Sequence, residues 1–425
     1  MNKKLTLATM TVLALTGASW AQETLMDVTD LYMVGGPTSW NALELLKTSN
    51  HKFYYEGNLP ADDGNKQGCF RASAWGADVV FNGPQVHAVA DMTPLNEANP
   101  EQVIDYNNME GGDKNWCITE SGYYRVIFDL ESAEISISKD CSQVLPVIAK
   151  TVYAIGDATL GGWDATNRTP LVKDESDPYT FTYQAYLKSD KSFKFSLDRL
   201  AAPREWDGFW LHPADADVTV GTEGLTGCRM RVFRGADLND YQWKVVTPGT
   251  YKITLNLRDM TMNAEYLGEK HIADQLWLVG DVTDWNFQPM EKVEPNVFEY
   301  TCENLEAGKR FRASMAPVWG DHFRPEVDNT ELAIDNKTGL DIKTDQTEDY
   351  NWTTKEPGTY KLRFNLNTMK VSANNDNPST SVTIVANDDD PERYYNLQGV
   401  PVDHITAGGI YIHKKGTVVK KVIVR

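Results

Sequence analysis

One pattern is written three times in this chain of 425 residues: Leu31-Tyr-Met-Val-Gly-Gly-Pro-Thr-Ser-Trp40-Asn, Val152-Tyr-Ala-Ile-Gly-Asp-Ala-Thr-Leu-Gly-Gly-Trp163-Asp and Leu276-Trp-Leu-Val-Gly-Asp-Val-Thr-Asp-Trp285-Asn. Each copy is an apolar strand ending in glycine, followed by a polar turn that presents a tryptophan beside Asn or Asp. The opening glycines Gly35, Gly156 and Gly280 stand 121 and 124 residues apart. That period is too long for a solenoid or a propeller blade, so whole domains are repeated. Each copy also closes alike, with Gly122-Tyr-Tyr-Arg-Val-Ile-Phe-Asp-Leu130, Gly249-Thr-Tyr-Lys-Ile-Thr-Leu-Asn-Leu257 and Gly358-Thr-Tyr-Lys-Leu-Arg-Phe-Asn-Leu366, then a polar turn and another alternating strand. Period-two alternation bounded by turn residues marks a hairpin with one buried face.

Further short strands are expected between these ends, at Tyr179–Leu187, Val297–Cys302, Phe193–Phe195 and Arg310–Ala313. Many short strands without a helical period predict an all-β chain of three tandem immunoglobulin-like β-sandwiches. The expected boundaries are 27–142, 148–269 and 272–374. Residues 375–391, rich in Asn, Asp, Ser and Pro, read as a linker. Residues 392–425 carry three short strand patterns, too few for an ordinary independent core.

Residues 1–21 have the form of a secretory signal: Lys3 and Lys4, an apolar run from Leu5 to Leu15, and small residues ending at Ala21. No cysteine follows the expected cut, which argues against a lipid anchor, and no later stretch has the apolar length of a transmembrane helix. The net charge of −19 disfavours nucleic acid and anionic lipid as partners. The five cysteines have no CxxC spacing, which disfavours a metal cluster, while export would permit a disulfide within the first repeat without selecting its partners.

The Gly-Asp…Gly-Trp opening, the Phe193-Lys-Phe195 strand followed by Trp206, and the Gly-Thr-Tyr closing hairpin together resemble the SusE/SusF outer-membrane starch-binding proteins of glycan-foraging Gram-negative bacteria. The likeness covers roughly residues 30–374. It implies non-catalytic, surface-exposed binding of starch or a related α-glucan, without a cofactor, near a TonB-dependent importer and surface amylases. Each site in that family combines two aromatic platforms with a nearby cation. Carried over, the second repeat offers Trp163 and Trp206 with Lys194 or Arg199, and Trp210 as a third ring. The third offers Trp285 and Trp319 with Arg312, and the first Trp40 and Trp75 with Arg71. The first repeat departs from the pattern by having Gly-Gly-Pro in place of Gly-Asp. The lipidated cysteine and leading immunoglobulin-like module usual in the family are not seen. The tail Tyr395-Asn-Leu-Gln-Gly399…Gly409-Ile-Tyr-Ile412…Lys420-Lys-Val-Ile-Val-Arg425 instead resembles the sorting domain of type IX secretion cargo, implying export to the outer-membrane surface or the medium.

The chemistry suits that reading. A glucose ring has a face of axial C–H bonds that a tryptophan face covers, worth on the order of 1 kcal/mol beyond the area term. Lys or Arg donates charge-assisted hydrogen bonds to hydroxyls. Asn41, Asp164 and Asn286, each following an opening Trp, are candidates to add to these. The competing reading of every such tryptophan is core packing, and of every such cation a solvated sheet face. Trp116, Trp243, Trp352 and Trp277 are expected in the core. Among enzymatic readings, Glu205 and Asp207 beside Trp206 are the best-placed carboxylates for a glycosidase, but nothing singles them out, and no HExxH, nucleophile elbow or P-loop is present. Asp62-Asp-Gly-Asn65 lacks the full calcium-loop pattern. The non-carbohydrate alternative is a structural or adhesive surface protein whose tryptophans only pack.

Overall fold

The computed structural model describes residues 25–74, 85–107, 114–197, 205–234, 240–320, 322–344 and 348–374, and in the tail 393–396, 400–402, 405, 410–415 and 418–423. The expected signal segment 1–21 and linker 375–391 therefore lie outside the described residues, as do Trp75 and Arg199. The described chain is all-β, built of β-sandwich repeats. Among the described residues, no helix is long and apolar enough to cross a membrane.

The three repeats share one plan. An opening strand (Tyr32–Gly35, Tyr153–Ile155, Trp277–Gly280) pairs antiparallel with a central strand (Cys69–Ser73, Lys191–Ser196, Arg310–Ser314). The central strand also takes a short strand that begins with tryptophan (Trp116–Ile118, Trp243–Val245, Trp352–Thr354). In the facing sheet, a long strand (Lys52–Leu59, Thr180–Leu187, Val297–Leu305) pairs with the closing strand (Gly122–Asp129, Gly249–Asn256, Gly358–Asn365). The closing strand then makes the hairpin expected from the sequence. In the first two repeats one further strand, Glu101–Asn107 or Leu225–Arg234, pairs with members of both sheets and joins them into a single eleven-stranded sheet. The third has two five-stranded sheets, linked through the isolated bridges Ala313 with Phe323 and Arg324 with Lys343.

Tryptophan fills the same central place in each core. Trp116, Trp243 and Trp352 are fully buried, as expected, and pack on Phe70 and Phe128, on Phe193 and Phe195, and on Phe311 and Phe364. The tyrosine of each closing strand (Tyr124, Tyr251, Tyr360) donates its hydroxyl to the carbonyl four residues upstream, at 2.7–2.8 Å, and pins the corner before the strand. Trp277 departs from expectation. Leu276 and Leu278 take the inward phase of that strand, so Trp277 faces outward, half-buried between the second and third repeats.

The tail folds as a separate unit, a four-stranded sheet in the order Pro401–Val402, Arg393–Tyr395, Ile410–Lys415, Val418–Ile423.

Cys69 and Cys117 face each other across neighbouring strands and are joined as a disulfide, 48 residues apart in sequence. The pairing that the sequence left open is fixed by strand register. Asp62 is the only acidic group beside these two sulfurs among the described residues, and a disulfide offers no thiolate, so this cluster is no metal site. Closing a loop of that length stabilises the fold by roughly 2–4 kcal/mol. Reduction, or the double variant Cys69→Ser/Cys117→Ser, is expected to lower the urea midpoint of the first repeat, read by hydrogen exchange of its peptides, while leaving the third unchanged.

Candidate functional site

The site is built on the outer face of the sheet that carries the opening strand. Strand register puts Val34 opposite Arg71, Ile155 opposite Lys194 and Val279 opposite Arg312. The adjacent pairs, Met33 with Ala72, Ala154 with Phe195 and Leu278 with Ala313, point into the sandwich cores. The three cations thus project outward, yet they are only 4–5% exposed, because the tryptophan turns fold over them. They form a covered layer instead of a solvated sheet face.

The turn that places each opening tryptophan follows from close packing. A Cβ on Gly35, Gly156 or Gly280 would lie 2.2 Å from the carbonyl oxygen of Cys69, Ser192 or Arg310 on the central strand, so only glycine fits. Three residues on, Thr38, Thr159 and Thr283 each donate the hydroxyl to that glycine's carbonyl, at 3.1, 2.8 and 3.2 Å. This threonine recurs in all three copies of the pattern and was the available signal for a turn-forming residue. In the Gly-Asp copies the aspartate ties the turn to the central strand: Ser192 N–H donates to Asp157 at 2.8 Å and Arg310 N–H to Asp281 at 3.2 Å. In the first repeat Gly36 takes this place, because a Cβ there would lie 2.1 Å from the Gln67 carbonyl oxygen.

The first and third turns have the same geometry. Ser39 and Trp40 (φ 51° and 60°) and Asp284 and Trp285 (φ 51° and 59°) are consecutive left-handed residues. A bulky residue held there costs roughly 1–2 kcal/mol. The cost is offset by Trp40 N–H to Gly35 O at 2.7 Å and Trp285 N–H to Gly280 O at 2.8 Å. The second turn is two residues longer and assigns its left-handed conformation to Gly162, leaving Trp163 unstrained. Asn41 and Asn286 donate to the carbonyls of their own turns, and Asp164 accepts from Thr166. The polar residue after each tryptophan shapes the turn.

In the third repeat, Trp285 and Trp319 lie with ring centroids 6.3 Å apart and planes inclined by 35°. Phe287 adds a third ring, 4.9 Å from Trp319. The Arg312 guanidinium sits 5.8 Å from Trp285 and 5.5 Å from Trp319, within cation–π range of both, and is paired with Asp349. Arg310, which sequence reasoning had not selected, lies 5.0 Å from Trp285 and binds Asp281 at 2.8 Å. That pairing holds the Asp281 carboxyl down at about 2, and Asp281 in turn accepts from the Trp285 indole at 2.8 Å. Trp319 is 43% exposed and Trp285 half-buried.

In the second repeat, Trp163 and Trp206 are 36% and 45% exposed. Trp210 is corrected: at 2% exposure it is a backing ring, stacked 5.3 Å beneath Trp206 and packed with Ile155, Ala165 and Phe233, so it presents no face to a ligand. Lys194 lies 4.5 Å from Trp210 and 5.7 Å from Trp163, and is paired with Asp240 at 2.8 Å. Burial lowers its pKa. Arg168, also not selected from sequence, is buried over Trp210 at 4.7 Å, donates to Ser196 at 2.8 Å and holds the Glu205 carbonyl. In the first repeat, Arg71 lies 5.9 Å from half-buried Trp40 and donates to Gln85 at 2.8 Å.

His322, beneath Trp319 and Phe287, and His212, against Phe233, are both buried, and burial pushes each down to about 4. The unfolded chain takes up these protons near pH 6.5 and the folded chain only near 4, so stability is complete above about pH 6.5 and falls as pH drops toward 4. Lower urea midpoints at pH 4.8 than at pH 7.5 are expected, with both imidazole signals titrating below pH 5 by NMR. A midpoint near 6.5 for either ring would contradict its burial.

The sequence matches no protein-family model, and no curated protein matches it. Among solved structures, SusF from Bacteroides thetaiotaomicron is similar at 13% identity, covering 82% of this chain and 72% of that one, with a TM-score of 0.23. A superposition that loose carries no residue across.

Proposed function

We propose that this chain binds a neutral polysaccharide, specifically starch or a related α-glucan, through paired aromatic platforms and without hydrolysing it. The observation that carries this reading is the inclined pair of half-buried Trp285 and exposed Trp319 over a buried, charge-compensated Arg312. Two rings at an angle suit a curved α-1,4 chain, whose successive sugars turn relative to one another. Arg312 and Lys194 are each paired with a carboxylate, so these two cations do not select an anionic glycan. Core packing accounts poorly for Trp163, Trp206 and Trp319, whose faces stand open. The same reading assigns the three repeats to tandem binding modules with the boundaries given by the sequence, acting together through effective concentration. It also assigns the leader and tail to export and display at the cell surface, close to an importer and amylases that would use the captured glycan.

Affinity electrophoresis in amylopectin, with xylan and galactomannan as controls, tests the proposal. Retardation is expected in amylopectin alone. Trp285→Ala and Trp319→Ala are each expected to weaken the third site about tenfold, about 1.4 kcal/mol. Free migration in every glycan would refute carbohydrate binding and favour an adhesive role, and retardation only in a control glycan would refute the α-glucan assignment.

A further inference from the structure

The loop that carries Trp319 is seated on the preceding repeat. Trp319 N–H donates to Asn167 Oδ1 at 2.9 Å, and Asn167 Nδ2 donates back to the Trp319 carbonyl, so one amide side chain caps both backbone polar groups of the platform residue. The next residue, Gly320, lies so close to the turn of the second repeat that a Cβ would be 1.9 Å from the Leu160 carbonyl oxygen. Both contacts fall on the turn that presents Trp163. Behind the loop a cavity of about 280 Å3 opens between the two repeats, bounded by Leu160, Tyr186, His271, Trp277, Met315 and Phe323.

The first junction repeats the arrangement with different chemistry. Arg234 donates to the Asp207 carbonyl in the Trp206 loop at 3.1 Å and to the Pro37 carbonyl in the first repeat's opening turn at 3.3 Å. At both junctions, the opening turn of one repeat touches the platform loop of the next or the residue that holds it.

We infer that the third site is a two-repeat site, in which Asn167 of the second repeat is a positioning residue for the Trp319 platform. The inference rests on the glycan reading for its functional consequence, but not for the contact itself. A ring held in advance at its working angle loses less freedom on binding than one on a free loop. The amide suits this work because it carries an N–H donor and a carbonyl acceptor side by side, matching one backbone C=O and one N–H.

The test uses the full chain with the other platforms removed by Trp40→Ala, Trp163→Ala and Trp206→Ala. Into this background go Asn167→Ala and, separately, Gly320→Ala, which disturbs the same seating through a different contact. Two quantities are read: affinity for maltoheptaose by calorimetry, and hydrogen exchange of the peptide spanning 315–323. Each variant is expected to speed exchange and weaken affinity about tenfold, with the thermal midpoint nearly unchanged. Unchanged exchange would overturn the clamp. Faster exchange with unchanged affinity would overturn the positioning role. If the parent binds none of the glycans, the glycan reading falls alone and exchange still decides the contact.

Discussion

The contact on which the rest of this structure depends is the approach of a glycine to a neighbouring carbonyl. Gly35, Gly156 and Gly280 each lie against the central strand at a distance that excludes any side chain. This lets the chain turn across the sheet instead of continuing along it. The threonine bond closes the turn, and the tryptophan emerges above the outer face, directly over the cation of the central strand. A larger residue at the glycine would move the turn, uncover the cation and separate the rings.

Placing charge beneath aromatic rings looks costly, since an isolated buried ion is strongly disfavoured. Here the cost is limited by partners on two sides. Carboxylates from the surface, Asp240 and Asp349, reach Lys194 and Arg312, the Gln85 amide oxygen reaches Arg71, and the ring faces supply cation–π attraction. The result is a stiff base whose upper surface is largely apolar. Its polar rim comes from groups already engaged with one another, which suits a ligand whose hydroxyls can join an existing network.

Much of the fold was legible in the sequence because its signals are local. Closing strands announce themselves by alternation, and Trp116, Trp243 and Trp352 by the Gly-Thr-Tyr or Gly-Tyr-Tyr hairpin that follows them. The candidate site was legible in part. Its exposed rings belong to the repeated pattern, but the supporting shell does not. Arg168 and Arg310 reach the site through register and turn geometry, and no spacing rule brings Arg168 over Trp210. Burial was misjudged for Trp210 and Trp277 for different reasons. Trp277 lies on the outward phase of a strand whose inward phase is taken by Leu276 and Leu278, while Trp210 is covered because Trp206 stacks over it. The Gly-Gly-Pro opening of the first repeat looked like the most divergent copy. It has the same backbone turn as the third, and the Gln67 backbone lies where a side chain on Gly36 would go.

The strand that joins both sheets in the first two repeats bears on how copies of the protein behave toward one another. Where the two sheets run continuously into each other, fewer hydrogen-bonding edges are open to a stranger's strand. In the third repeat that seam is reduced to isolated bridges, Ala313 with Phe323 and Arg324 with Lys343, and both sheets have short outer strands. Those strands are only two to four residues long, and two of them carry Pro289 and the charges Glu291, Lys292 and Glu294. Short length, a missing donor and charged side chains all discourage β-addition. The repeat with the most open sheet architecture thus carries, in its edge residues, its own protection against aggregation.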